Sequence, residues 1–90
     1  MTELHAIIHG CVQLVMFRDF VQRRATKLKA VGTVQNLSDG TVEVVAQGER
    51  AALENLLQAL HKGPILAHVD RVESEWRAPT GTFADFCIAY

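Results

Sequence analysis

The chain has 90 residues, of which 49% are hydrophobic, and its formal net charge at pH 7 is -1. This length allows one buried core and excludes a second, so we expect a single domain over residues 1–90. The Lys and Arg residues are scattered, which excludes the basic stripe that would bind nucleic acid or an acidic membrane and leaves room for a small anionic ligand.

A strand and a helix are predicted in the first third of the chain. Residues 4–10 alternate between two faces with the period of a strand, and one of these faces carries Leu4, Ala6 and Ile8. From Phe17 onwards the apolar positions recur at spacings of three and four, which is typical of one stripe of a helix. The residues of this stripe are Phe20, Val21, Ala25 and Leu28.

A hairpin and a second helix are predicted next. Asp39-Gly40 is a strong turn signal, so we expect a strand on each side of it. The inward residues of the second of these strands are Val42, Val44 and Ala46. A helix then begins near Gly48 and stops at Gly63-Pro64. Its predicted buried stripe consists of Leu53, Leu56, Leu57 and Leu60.

Two further strands complete the predicted fold. The strand over about residues 67–76 changes its apolar parity, so we expect a bulge near Asp70-Arg71 or a strand covered on both faces. A last strand is predicted from the alternation of Phe86, Ile88 and Tyr90. The order of elements indicates an α+β fold, a ferredoxin-like α/β sandwich with βαββαβ order plus a C-terminal strand. Two helices would cover one face of a largely antiparallel five-stranded sheet.

The segment between the first strand and the first helix is the candidate binding site. Its backbone N–H groups lie where a helix N-terminus begins, which favours an anion. The backbone donors would come from Val12, Gln13, Leu14, Val15, Met16, Phe17 and Arg18. The guanidinium of Arg18 would add a planar fork suited to phosphate. The alternative is that Arg18 is a solvated residue of the first turn, and spacing alone leaves both interpretations open.

The sequence as a whole resembles the acylphosphatase family. The matching segments are Gly10-x-Val12-Gln13-x-Val15-x-Phe17-Arg18, Gly32-x-Val34-x-Asn36-x-x-Asp39-Gly40-x-Val42-Glu43, Ala46-x-Gly48, Gly63-Pro64 and Phe86-x-Ile88-x-Tyr90. The resemblance implies hydrolysis of small acyl phosphates to a carboxylate and inorganic phosphate, without a metal or cofactor. It also implies that Arg18 binds the phosphoryl group and that Asn36 positions the nucleophilic water. Inorganic phosphate or sulfate would bind as a product-like ligand.

Two residues of the candidate site have an alternative interpretation. Asn36 precedes the turn at Asp39-Gly40, where an asparagine commonly hydrogen-bonds its own backbone. The family usually has glycine where this chain has Leu14, and a leucine with positive φ would be strained. The chain could therefore be a catalytically impaired relative that serves as a phosphate- or sulfate-binding module. A third hypothesis, a module for RNA or a regulatory ligand, requires exposed aromatic residues that the middle strands lack.

The remaining expectations concern the helix end, metals, thiols and assembly. Lys29 stands where the family usually has glycine, so we expect a left-handed residue that weakens the helix cap. The four histidines lack the spacing of metal ligands, so no metal site is expected.

Without a recognisable leader, Cys11 and Cys87 are expected to be reduced, core-packed thiols of a cytoplasmic protein. No apolar run is long enough to span a membrane, and we expect a monomer.

Overall fold

The computed structural model describes residues 1–13 and 16–89, which form one sheet covered by helices. The elements of this part of the chain are β1 (Thr2–Cys11), α1 (Phe17–Lys27), β2 (Val31–Asn36), β3 (Val42–Gly48), α2 (Arg50–Lys62), β4 (His68–Arg77) and β5 (Phe86–Ala89). The predicted order of strands and helices is confirmed. Tyr90, predicted to end the last strand, lies outside the described residues. Within the described ranges, no helix combines the length and the apolar character needed to cross a membrane.

The sheet has the spatial order β4-β1-β3-β2-β5. Its neighbouring strands are antiparallel except for β2 and β5, which run parallel. The largely antiparallel sheet that the sequence predicts is therefore confirmed, with one parallel pair at an edge. This pair arises because the connection after β4 carries the chain from one edge of the sheet to the other before β5 begins.

The core lies between the sheet and the helices, and the predicted apolar faces supply it. The fully buried strand residues include Leu4, Ala6, Ile8, Val34, Val42, Val44 and Ala46. The fully buried helix residues include Phe17, Val21, Ala25, Leu53, Leu56 and Leu60. Phe20, Leu28 and Leu57 pack against this cluster and are partly buried. The period-two alternation of the strands and the helical repeat thus direct these side chains into one apolar layer between the sheet and the helices.

The predicted bulge in β4 is confirmed beside the end of β1. His9 pairs with Arg71, but Gly10 pairs with Val69, so Asp70 is the extra residue on β4. Gly10 has φ +134, and a Cβ at this position would lie 2.0 Å from the carbonyl oxygen of His68. Glycine is therefore required here, because no side chain fits between the two strands.

The end of α1 has the left-handed residue that the sequence predicts. Lys29 has φ 61, and its N–H donates to the carbonyl oxygen of Thr26 at 3.0 Å. The N–H of Ala30 donates to the carbonyl oxygen of Ala25 at 2.9 Å. These two bonds form a Schellman motif, which normally places glycine at the position of Lys29.

The prediction that both cysteines pack in the core is wrong. Cys11 and Cys87 are free and exposed. Cys11 is the last residue of β1, and Cys87 follows the buried Phe86 on the edge strand β5, so its side chain points to the opposite face. The thiol of Cys87 donates a hydrogen bond to Asp85 Oδ1 at 2.8 Å, and this bond raises the pKa of the thiol.

A buried carboxylate anchors the connection between β4 and β5. Glu3 is fully buried and accepts hydrogen bonds from Gln47 Nε2 at 2.9 Å and from the backbone N–H of Thr80 at 3.1 Å. The side chains of Arg77 and Thr80 also donate to it. Burial alone would raise the pKa of Glu3, but the hydrogen bonds outweigh it and lower the pKa from 4.5 to about 2.

We expect Lys29→Gly to raise the unfolding free energy by about 0.5 to 1 kcal/mol, because glycine adopts positive φ without strain. Lys27→Gly is the matched control, since it places glycine at the last residue of α1, where φ is not positive, and should lower stability by up to about 1 kcal/mol. Urea unfolding of both variants measures the two effects. A destabilised Lys29→Gly variant would contradict the assigned strain.

We expect acid to weaken the wild-type fold through Glu3. Because its folded pKa is lowered from 4.5 to about 2, its stabilising contribution is complete above pH 4.5 and is lost as the pH falls towards 2. The contribution is at most about 3 kcal/mol. Unfolding free energies measured across this window should therefore fall more steeply for wild type than for Glu3→Gln. Glu54→Gln, at an exposed helix position, should keep the wild-type slope.

Candidate functional site

The sheet register places Asn36 at the end of the sheet where β1 leads towards α1. Ile8 of β1 pairs with Val42 of β3, and Val42 pairs with Asn36, the last residue of β2. From this row β1 continues to its end, and α1 begins at Phe17 with Arg18 as its second residue. The end of β1 therefore lies at the same end of the sheet as the hairpin that carries Asn36.

Gln13 connects this segment to the hairpin through its side chain. Its Nε2 donates to the carbonyl oxygen of Leu37 at 2.7 Å and to that of Thr41 at 2.9 Å. The side chain is partly buried, so water competes weakly for these bonds. The sequence predicts a role only for the backbone N–H of Gln13, because no local pattern indicates the partner of a single glutamine side chain.

The turn between β2 and β3 is closed by hydrogen bonds of its own. The N–H of Leu37 donates to the carbonyl oxygen of Thr41 at 2.9 Å, and the N–H of Gly40 donates to that of Leu37 at 3.2 Å. Asp39 Oδ1 accepts from the hydroxyl of Thr41 at 2.6 Å and from its N–H at 3.1 Å. These two bonds, the hydroxyl bond first, lower the pKa of Asp39. The charged Asp39 thus stabilises the turn.

Asn36 has an acceptor atom that no described residue satisfies. Its Oδ1 is buried and has no hydrogen-bond partner among the described residues. A buried polar atom without a partner costs free energy, and such atoms are rare in folded proteins. The alternative interpretation of Asn36 as a turn residue would use the side chain to bond its own backbone, and Oδ1 makes no such bond here. The atom is therefore available to accept a hydrogen bond from a water molecule.

The beginning of α1 has an unusual cap. Met16 is the N-cap residue with left-handed φ 58, and it forms no side-chain cap hydrogen bond. The helix begins with the bond from the N–H of Phe20 to the carbonyl oxygen of Met16 at 3.1 Å. A helix start without a capping side chain leaves backbone N–H groups for an anion. Phe17 is fully buried in the core, as expected, and Arg18 directly behind it is partly buried.

The predicted phosphate-binding segment is described only in part. Val12 is buried, and Met16 is exposed. Leu14 and Val15 lie outside the described residues, so the predictions for both stay predictions. Among residues 1–13 and 16–89, no group of three or more His, Cys, Asp or Glu is arranged to hold a metal ion.

The histidines near the site pair with carboxylates on the open face of the sheet. His5 Nε2 lies 2.8 Å from Glu43 Oε2, across the β1 and β3 pair. His9 contacts Glu73 across the β1 and β4 pair. Both histidines therefore interact with neighbouring strands.

Comparison with known proteins identifies the family. The acylphosphatase family model matches residues 4–88. This chain belongs to the acylphosphatase family. An acylphosphatase of Methanococcoides burtonii is 48% identical over 81 residues, which cover 90% of this chain and 84% of that protein.

Two solved acylphosphatase structures have the same fold. The crystal structure of the Bacillus subtilis acylphosphatase matches with a TM-score of 0.96 at 34% identity, over 100% of both chains. An acylphosphatase structure from Coxiella burnetii matches with a TM-score of 0.91 at 39% identity, over 98% of this chain and 92% of that one. The acylphosphatase resemblance and the predicted sandwich are both confirmed.

Proposed function

We propose that this protein hydrolyses the carboxyl-phosphate bond of small acyl phosphates to a carboxylate and inorganic phosphate. The observation that carries the proposal is the buried Oδ1 of Asn36, which has no partner in residues 1–13 and 16–89. It lies at the end of the sheet where α1 begins with Arg18, in a chain whose family match spans residues 4–88. Inorganic phosphate, the product, and sulfate would occupy the same site.

In this proposal Arg18 and the segment before it bind the phosphoryl group. A guanidinium offers two parallel N–H donors to two phosphoryl oxygens, which fixes the orientation of the group as well as its charge. Backbone N–H groups of residues 12–18 would donate to the remaining oxygens. Donors that are already in place stabilise the negative charge of the transition state without reorganisation.

Asn36 would orient the attacking water. Its Oδ1 accepts a hydrogen bond from the water and holds the water oxygen in line with the scissile bond. The water oxygen forms a bond to phosphorus while the bond from phosphorus to the acyl oxygen breaks, and the electron pair leaves with the carboxylate. A proton of the water ends on the released phosphate. The leaving carboxylate is stable because carboxylic acids have pKa values of about 4 to 5, so no general acid is needed.

The proposal also covers the cellular location of the enzyme and its oligomeric state. We place the enzyme in the cytoplasm, because its two cysteines are exposed free thiols that a reducing environment preserves. We further propose that it acts as a monomer, because the proposed Arg18 and Asn36 come from one chain. The competing hypothesis remains a relative that binds phosphate or sulfate but is impaired in turnover by Leu14.

We expect Arg18→Ala and Asn36→Ala to reduce hydrolysis in different ways. Arg18→Ala should raise KM and lower kcat, with a loss in kcat/KM of about 100- to 1000-fold. Asn36→Ala should lower kcat about 100-fold while the inhibition constant of inorganic phosphate stays unchanged. Phosphate release from an aryl acyl phosphate measures both. The control is Arg23→Ala, an exposed arginine of α1 paired with Asp19, which should keep wild-type kinetics. Full activity of either site variant would remove that residue from the mechanism.

We expect Leu14→Gly to raise kcat/KM about 5-fold, because relief of roughly 1 kcal/mol of loop strain in the bound state corresponds to that factor. Leu66→Gly, at an exposed position after α2, is the matched control and should not change the rate. An unchanged rate in Leu14→Gly would reject the strain. A wild type that binds phosphate but releases none from acyl phosphates would favour the impaired relative.

A further inference from the structure

We propose that Gln13 is a positioning residue, whose carboxamide fixes the β2–β3 turn and thereby sets the location of Asn36 Oδ1. This inference rests on the proposed function, because it concerns the residue that orients the water. It assigns to the side chain of Gln13 a role different from that of its backbone N–H, which belongs to the phosphate-binding segment.

The geometry shows that Gln13 bridges both arms of the turn. A glutamine amide has two N–H bonds on Nε2, and the two acceptors here are the carbonyl oxygens of Leu37 and Thr41. One acceptor lies at the end of the first arm and the other at the start of the second. Both oxygens also take part in the closing bonds of the turn. The amide therefore joins an existing network and restrains its two sides together.

The position of Leu37 connects this network to Asn36. The N–H of Leu37 belongs to the planar peptide unit that Leu37 shares with Asn36. It donates to the carbonyl oxygen of Thr41, which Gln13 also contacts, so a shift of that oxygen is transmitted to the backbone of Asn36. The bonds between Asp39 and Thr41 keep the turn closed, but they lie within the turn and do not relate it to the segment before α1. The bonds from Gln13 do relate the two, across 24 and 28 positions of sequence.

The effect on the reaction follows from the need for alignment. An attacking water that is displaced by about 1 Å can lose on the order of 100-fold in rate. Loss of Gln13 leaves the turn closed by its own bonds, so a smaller displacement of Asn36 and a loss of about 10-fold are expected. Phosphate binding should change little, because the backbone of residue 13 and the side chain of Arg18 are retained.

The first test compares two glutamines that make similar contacts. Gln13→Met keeps the length of the side chain and removes both donors. Gln22→Met is the control, because Gln22 Nε2 donates to the carbonyl oxygen of Phe86 at 3.2 Å and links α1 to β5. Gln13→Met should lower kcat about 10-fold with the phosphate inhibition constant unchanged within 2-fold, whereas Gln22→Met should keep the wild-type kcat. Equal losses of kcat in the two variants would overturn the proposal.

The second test measures whether Gln13 acts through Asn36. In an Asn36→Ala background, Gln13→Met should cause no further loss of kcat, because the group that it positions is absent. A further 10-fold loss would show an independent effect and overturn the proposal.

Amide hydrogen exchange gives a third test, with a readout that does not require hydrolysis. The N–H of Leu37 should exchange at least 10-fold faster in Gln13→Met than in Gln22→Met, and equal rates would reject the positioning role. A wild type without hydrolysis but with this difference in exchange would reject the proposed function alone.

Discussion

The register of the central strands is the constraint on which the candidate site depends. Ile8, Val42 and Asn36 lie in one row across β1, β3 and β2. This row is fixed by burial, because a slip of one residue would turn the inward side chains of β1 and β3 to the open face. The same apolar contacts that stabilise the fold therefore determine which residue of β2 lies level with the end of β1.

Two buried polar groups, one on β1 and one on β2, differ in whether the described residues supply hydrogen-bond donors to them. Glu3 is buried but has hydrogen-bond donors from β3, β4 and the following connection, so its charge stabilises the fold. The Oδ1 of Asn36 is also buried, yet it lacks a partner in the described chain. An unsatisfied acceptor lowers stability, and its presence at the end of β2 is consistent with a group reserved for a ligand.

Patterns along the sequence predicted the elements, the core faces and the bulge at Asp70, because each depends on near neighbours. The left-handed Lys29 was predicted from the glycine that the family usually has there. The burial of Cys11 and Cys87 was predicted wrongly from the apolar character of cysteine, whereas strand alternation turns Cys87, between Phe86 and Ile88, to the face opposite the buried Phe86. The bonds of Gln13 and Glu3 join residues far apart in sequence, and local spacing contains no information about them. The positions of Arg18 and Asn36 were recognised through the family resemblance rather than through spacing.

The tight approach at Gly10 has a consequence for protein engineering. A side chain there would overlap the His68 carbonyl group, so β1 stays paired with β4 up to Cys11 only because residue 10 is glycine. On the other side of the segment, Phe17 lies in the core and fixes where α1 begins. A library of grafted sequences should therefore be confined to residues 14–16, with the buried Val12 and the turn-binding Gln13 retained, so that only the proposed phosphate-binding segment varies while the core stays unchanged.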